Sequence, residues 1–209
     1  MGKEPKVSKE EREAQTGKLY AKVGKIAVLG EHLNFAMFEC CRQVLQVRGL
    51  PQNYAQTVLT GQNLENMRRT WESLMKVFYA GDPEAIGMID HLSNRLDNII
   101  RRRNDTVHRL WFIGWGNEET ESYEVAASIK AVRDIGKQGV GGVKYTDKDT
   151  KDFEEIIDEL QKLTSLVMKF NACVVSIVFH PDGSVGKPVA NFHYDAKGQL
   201  LDAPPPAGT

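Results

Sequence analysis

The sequence has few of the features that mark secreted or membrane proteins. Its 209 residues include three cysteines, two of them adjacent, and this number and spacing do not suggest a disulfide framework. No apolar run approaches the roughly 20 residues of a membrane span. The charged N-terminus, MGKEPKVSKEEREAQTGK, has no apolar signal core. We therefore expect reduced thiols, no membrane association and a cytoplasmic location.

Several catalytic and metal-binding signatures are also missing. The glycine-rich stretch GKQGVGG lacks the lysine–hydroxyl pair of a phosphate-binding loop, and there is no G-x-S-x-G elbow. Cys173, His180 and His193 do not have the spacing of metal ligands. The sequence therefore predicts no metal site and no other cofactor.

Charge is balanced overall but uneven along the chain. The formal net charge is −1, which gives no global preference for nucleic acid, membranes or acidic partners. Residues 95–109, however, carry five Arg against two Asp, whereas residues 147–162 carry seven acidic residues against three Lys. A local basic surface is therefore compatible with the neutral total.

Apolar residues recur every three or four positions over most of the chain, which predicts amphipathic helices. Gly49 and Pro51 are expected to end the first long helix, and Asn63 to cap the third helix. The predicted fold is mainly α, an up-and-down bundle of four to five helices. The helices are expected over residues 18–48, 52–60, 64–78, from Pro83 onward, and from about 150 to 179.

The residues outside the helical pattern predict a small β-hairpin and a segment at each end of the helical domain. Two strand-like segments predict a small β-hairpin inserted before the last long helix, at about 122–146. Residues 1–17 are expected to be a charged N-terminal segment. Residues 18–179 form the helical domain, and residues 180–209 a Gly/Pro-rich tail that is partly disordered.

The stretch RRRNDTVHRLW, residues 101–111, places an arginine on the apolar stripe of the fourth helix. When the spacing of three and four residues is continued along this stripe, Arg103, Val107 and Leu110 are its next members. A buried guanidinium needs a partner. Three explanations stay open: the stripe has ended, Arg103 pairs with Glu31 or Glu39, or it lines a cleft or interface completed by an anionic ligand.

His108 follows Arg103 by five positions, which lie roughly 140° apart on a regular helix. Asn104 and Asp105 are poor helix-interior residues and good N-caps. We therefore predict a break or loosened turn at residues 104–106, which would let the two side chains converge.

The hexapeptide RNDTVH resembles the Arg-x4–6-His motif of the HEPN superfamily, in the form with a polar residue after the arginine. It lies, as in that superfamily, at the end of the penultimate long helix. The resemblance covers residues 18–175. It implies a helical, usually dimeric protein, and many HEPN proteins are metal-independent ribonucleases of toxin or antiviral defence systems.

The resemblance also implies roles for individual residues. His108 would act as general base or acid, Arg103 would stabilise the phosphorane, and Asn104 would hold the phosphate or the imidazole. Arg102 and Arg109 would attract the RNA backbone. HEPN sites often add a polar or acidic residue from an early helix, for which Glu31 and Asn34 are the candidates.

The functional hypothesis is therefore a metal-independent endoribonuclease with a composite site in a homodimer formed across the fourth helix. Its partners would be RNA and an antitoxin or another protein. The alternative is a non-catalytic HEPN-like module that binds nucleic acid, a nucleotide or a partner protein. A helical scaffold without a ligand is the third hypothesis, and it predicts that Arg103 pairs with an internal carboxylate.

Overall fold

The computed structural model describes residues 9–113, 125–133, 141–179, 193–194 and 200–201. This part of the chain is mainly helical, as the sequence predicts. Its five helices are α1 (Lys9–Val47), α2 (Gln52–Leu59), α3 (Leu64–Phe78), α4 (Pro83–Val107) and α5 (Thr150–Phe179). Within these residues, none of the helices combines the length and the apolar character that a bilayer crossing requires.

The predicted helix ends at Gly49 and Asn63 are confirmed. Gly49 has a φ of +89°, and its N–H donates to the carbonyl of Gln46 while the N–H of Leu50 donates to the carbonyl of Leu45. This is the Schellman arrangement, in which glycine adopts the left-handed conformation without a steric penalty. The Asn63 side chain accepts from the N–H of Asn66 at 2.9 Å and so caps α3.

The start of α1 corrects one expectation. The helix begins at Lys9 and continues to Val47, so it already includes residues 9–17 and starts before the predicted residue 18. The domain boundaries predicted at 17 and 179 stay predictions.

Five strands are described besides the helices. They are β1 (Leu110–Ile113), β2 (Val125–Arg133), β3 (Gly141–Asp149), β4 (His193–Tyr194) and β5 (Leu200–Leu201). The first three form an antiparallel sheet in the order β1-β2-β3, and β4 pairs with β5. The hairpin predicted at about 122–146 stays a prediction as a unit, since residues 122–124 and 134–140 lie outside the described residues. Most of the tail at residues 180–209 also lies outside the described residues, so its predicted partial disorder stays a prediction.

The chain divides into two compact units. Unit 1 contains residues up to 28 together with residues 101–158, and unit 2 contains residues 29–100 together with those from 159 onward. The long helices α1, α4 and α5 each contribute one part to each unit.

The core of unit 2 is formed by the apolar stripes of its helices. Trp71 and Phe170 are both fully buried, and their rings meet edge to face at 5.8 Å between centroids, which joins α3 to α5. Met75 is the buried residue in the last turns of α3. Its Sδ lies 3.6 Å from the Sγ of Cys40 in α1.

A polar cluster links α3 to α4 within unit 2. The buried Ser93 hydroxyl donates to Glu72 at 2.6 Å and accepts from Arg68 at 2.8 Å. Lys76 bridges Glu72 and Asp90, at 2.8 and 2.6 Å. Burial alone would raise the pKa of Glu72, but the hydrogen bonds from Lys76 and Ser93 outweigh it and hold that pKa below its usual value.

The three cysteines, Cys40, Cys41 and Cys173, are buried thiols. Burial raises the pKa of Cys40 to about 12, and it raises the pKa of Cys41 as well. Cys40 and Cys41 are therefore protonated at neutral pH, which fits a packing role for both.

The conformations of two glycines predict opposite effects of alanine. Gly24 lies on the exposed side of α1, and a Cβ there would meet no atom of the described residues within 4 Å. We expect Gly24→Ala to raise the free energy of unfolding by about 1 kcal/mol through helix propensity. Gly49→Ala should lower it by about 1 kcal/mol because of the positive φ. Urea unfolding of the two variants checks this, and equal signs would contradict it.

The Glu72 cluster predicts a pH-dependent stability. Because the folded-state pKa is lowered, the stabilisation is present above the unfolded-state pKa of about 4.3 and is lost as the pH falls through the folded value. Glu72→Gln should cost about 2 kcal/mol near neutral pH, and this difference should shrink below about pH 4. Glu84→Gln, at an exposed position of α4, should cost less. A cost of Glu72→Gln that does not change with pH would exclude a charged Glu72 as its source.

Candidate functional site

The end of α4 carries the Arg-x4-His motif in unit 1, and the helix there is continuous. It runs without interruption to Val107, and the N–H of His108 still donates to the carbonyl of Asn104 at 3.1 Å. This is the hydrogen bond of a regular α-helix. The break predicted at residues 104–106 is therefore wrong.

Continuity of the helix sets the directions of the two motif side chains. Arg103 and His108, five positions apart, project about 140° apart around α4. His108 is exposed and Arg103 is half-buried. The two groups of one chain therefore do not converge through a bend of the helix, which was the basis of the prediction.

Arg109 closes the last turn of α4. Its Nε donates to the backbone carbonyl of Asp105 at 2.8 Å, and its Nη2 donates to the Asp105 carboxylate at 2.6 Å. The Arg109 side chain is 1% exposed, whereas that of Asp105 is 37% exposed. A basic side chain that satisfies a carbonyl at a helix C-terminus is favourable both as a hydrogen bond and toward the helix dipole.

This geometry changes the role expected for Arg109. The HEPN resemblance implies that Arg109 attracts the RNA backbone, but in the structure the guanidinium is buried and held by Asp105. A phosphate would have to displace Asp105 from a guanidinium that is itself buried. Arg109 therefore supports the helix end that presents His108 rather than attracting RNA itself.

Thr106, which has no predicted role, and Trp111 complete this helix end. Thr106 is fully buried, and its hydroxyl donates to the carbonyl of Arg102 at 2.8 Å. The indole N–H of Trp111 donates to the carbonyl of Thr106 at 2.7 Å. The Trp111 ring packs edge to face on Phe153 of α5, at 5.0 Å between centroids.

The buried stripe of α4 thus ends differently from the prediction. Ile99, Ile100 and Thr106 are buried, while Arg103 and Val107 are half-buried. Leu110, expected on the same helical stripe, belongs to β1. A signal for this end was present in the sequence, because an aromatic residue and an arginine follow directly after the last helical turn.

Arg102 lies on the accessible side of the helix end. Its side chain is 38% exposed, and Nη2 donates to Glu155 of α5 at 3.1 Å. Arg101, also exposed, lies beside it and was not assigned a role from the sequence. The run of three arginines at 101–103 indicates a basic surface. The run alone does not show which of the three side chains are exposed.

Arg103 and Asn104 contact each other. Arg103 Nη1 donates to the amide oxygen of Asn104 at 3.0 Å, and both side chains are half-buried. Asn104 therefore orients the guanidinium, a role that fits its predicted place in the site.

Glu31 and Asn34, the predicted supporting residues, belong to unit 2. Glu31 is exposed, and the amide nitrogen of Asn34 donates to the carbonyl of Gln62 at 3.5 Å. Their part in a site with Arg103 and His108 stays a prediction. Among the residues that the structure describes, there is no group of three or more His, Cys, Asp or Glu side chains that could hold a metal ion.

The capping bond of Trp111 gives a test of the helix end. Trp111→Phe leaves the buried Thr106 carbonyl without the indole donor and should cost about 1–3 kcal/mol beyond the loss of ring volume. Trp71→Phe is a matched control, because the Trp71 indole N–H caps no helix carbonyl within the described residues. Urea unfolding with a helix-sensitive probe measures both. A larger loss in the control would show that packing, not the cap, dominates.

Comparisons of the chain with protein-family models, with curated proteins and with solved structures find no match. The HEPN resemblance is therefore carried by the hexapeptide at residues 103–108 and by its place at the end of α4. The groups available at this end of α4 are the exposed imidazole of His108 and the arginines at 101–103.

Proposed function

We propose that this protein is a metal-independent endoribonuclease of HEPN type. The observation that carries the proposal is that His108, exposed at the capped end of α4, follows Arg102 and Arg103 within two helical turns. Imidazole transfers protons near neutral pH, and guanidinium binds phosphate oxygens through paired donors. These are the two chemical functions that RNA cleavage without a metal requires.

The reaction would use the ribose 2′-hydroxyl as nucleophile. The 2′-oxygen gives its proton to a base, forms a bond to phosphorus and displaces the 5′-oxygen, which takes a proton from an acid. His108 would serve in one of these proton transfers, and Arg103 would stabilise the charge on the non-bridging oxygens. The products are a 2′,3′-cyclic phosphate and a 5′-hydroxyl.

The continuous helix favours a site composed from two copies of the chain. Because Arg103 and His108 project about 140° apart, one copy alone does not direct both groups at the same phosphate through its α4 geometry. A two-fold dimer would combine Arg103 of one protomer with the histidine of its partner. We therefore propose a homodimer as the active form.

Asn104 and Arg102 would assist this site. Asn104 holds the Arg103 guanidinium at 3.0 Å, and Arg102 faces solvent beside it. Arg109 is assigned to positioning, since it closes the turn that precedes His108.

The β-hairpin proposed between α4 and α5 would serve partner binding or specificity. The defence or toxin–antitoxin setting, with an antitoxin as partner, rests on the HEPN resemblance.

A non-catalytic module that binds nucleic acid, a nucleotide or a partner protein is the second candidate. The observation that favours it is that the arginines at the end of α4 already have internal acceptors: Asn104 for Arg103 and Glu155 for Arg102. Such a module would bind RNA without cleaving it.

Cleavage of a labelled single-stranded RNA pool in EDTA tests the proposal. We expect His108→Ala and Arg103→Ala each to reduce the cleavage rate about 100-fold or more. His32→Ala, which removes an exposed histidine of unit 2, should leave the rate unchanged. Wild-type products should carry cyclic phosphates.

Each outcome of this assay selects one hypothesis. RNA binding without cleavage by folded wild-type protein would favour the non-catalytic module. Equal cleavage by all variants would assign the activity to a contaminant or another site. Helical content and melting temperature are measured for each variant, so that a loss of folding is not taken for a loss of catalysis.

A further inference from the structure

The ion pair between Arg102 and Glu155 differs from the other contacts of the arginines at the end of α4. Arg109 is held by Asp105 within the same turn and is buried, whereas Arg102 is held by a residue 53 positions away. Both members of the Arg102–Glu155 pair face solvent, with side chains 38% and 67% exposed. Exposed pairs of this kind contribute little to stability and open readily.

Glu155 belongs to the acidic first turns of α5. Its neighbour Glu154 pairs with Lys22 of α1 at 2.9 Å and is similarly exposed, at 59%. The acidic surface at the start of α5 is thus partly used to neutralise basic groups of the same unit.

A carboxylate and a phosphate diester compete for the same guanidinium donors. Both are anions that accept paired N–H groups, and Arg binds either with its planar fork. An RNA phosphate that approaches Arg102 therefore meets a carboxylate already bound there, and it also experiences the negative charge of that carboxylate.

We propose that Glu155 is a tethered competitor of RNA at Arg102, which weakens binding at this site until a phosphate displaces it. This inference rests on the proposed function and names a regulatory contact of the same site. It predicts two separable effects of removing the charge. One is a long-range reduction of repulsion, which Glu154 shares, and the other is the release of the Arg102 donors, which is specific to Glu155.

Binding of a fluorescent single-stranded RNA, fully 2′-O-methylated so that it cannot be cleaved, separates these effects. Fluorescence anisotropy at low salt gives Kd for the wild type, Glu155→Gln, Glu154→Gln, Arg102→Gln and the double variant Arg102→Gln/Glu155→Gln. Glu154→Gln is the matched control, because it removes the same charge one residue away. Both glutamates are exposed, so folding should be retained, and melting curves verify this.

We expect Glu155→Gln to lower Kd about three-fold more than Glu154→Gln does, the size of effect that an exposed ion pair can supply. In the Arg102→Gln background the excess effect of Glu155→Gln should disappear, because the two residues are coupled through one contact. Binding by Glu155→Gln but not by the wild type would also support the inference.

Two results would overturn the inference and leave the proposed function intact. One is wild-type RNA binding with equal effects of Glu155→Gln and Glu154→Gln. The other is an excess effect of Glu155→Gln that persists without Arg102. Failure of every folded variant to bind RNA would instead refute the proposed function, and the inference with it.

Discussion

The last turn of α4 is fixed by side chains that follow it in the sequence, and the candidate site depends on this constraint. A helix end leaves backbone carbonyls without intrahelical partners. Here the carbonyl of Asp105 accepts from the Arg109 guanidinium, and that of Thr106 accepts from the Trp111 indole. In the sequence, His108 lies between each of these carbonyl groups and the side chain that donates to it, so its backbone is held while its side chain stays exposed.

The same constraint determines what the site can do within one chain. Because the helix does not bend at Asn104, Arg103 and His108 leave α4 in different directions. The surface that results has an exposed imidazole and accessible arginines whose internal acceptors are polar or acidic side chains. Under the proposed function, a phosphate would displace these internal contacts, and a second copy of the chain would place an arginine opposite the histidine.

Much of the helical fold could be predicted from the sequence because its signals are local. The stripe of α5, the Asn63 cap and the glycine stop at Gly49 each depend on residues within one or two turns. The break at Asn104 was predicted from propensity, which amounts to less than about 1 kcal/mol per residue. Burial of Thr106 and the two capping side chains outweigh that preference.

The role of Arg109 could not be predicted for a related reason. In the sequence it is one of five arginines between residues 95 and 109, and composition does not distinguish those that are buried from those that face solvent. The difference arises from the position of Asp105 one turn earlier, which gives Arg109 a carboxylate and a carbonyl at once. Arg102, in contrast, receives its partner from α5, a contact between residues 53 positions apart that no local pattern indicates.

Subunit complementation tests the composite site most directly. Arg103→Ala and His108→Ala proteins, each inactive alone, are mixed under conditions that exchange subunits. If each site combines the arginine of one protomer with the histidine of its partner, a mixed dimer contains one intact site, and cleavage should return to about a quarter of the wild-type rate. If exchange is demonstrated and no activity returns, both groups act from the same chain, and a composite site at the end of α4 is contradicted.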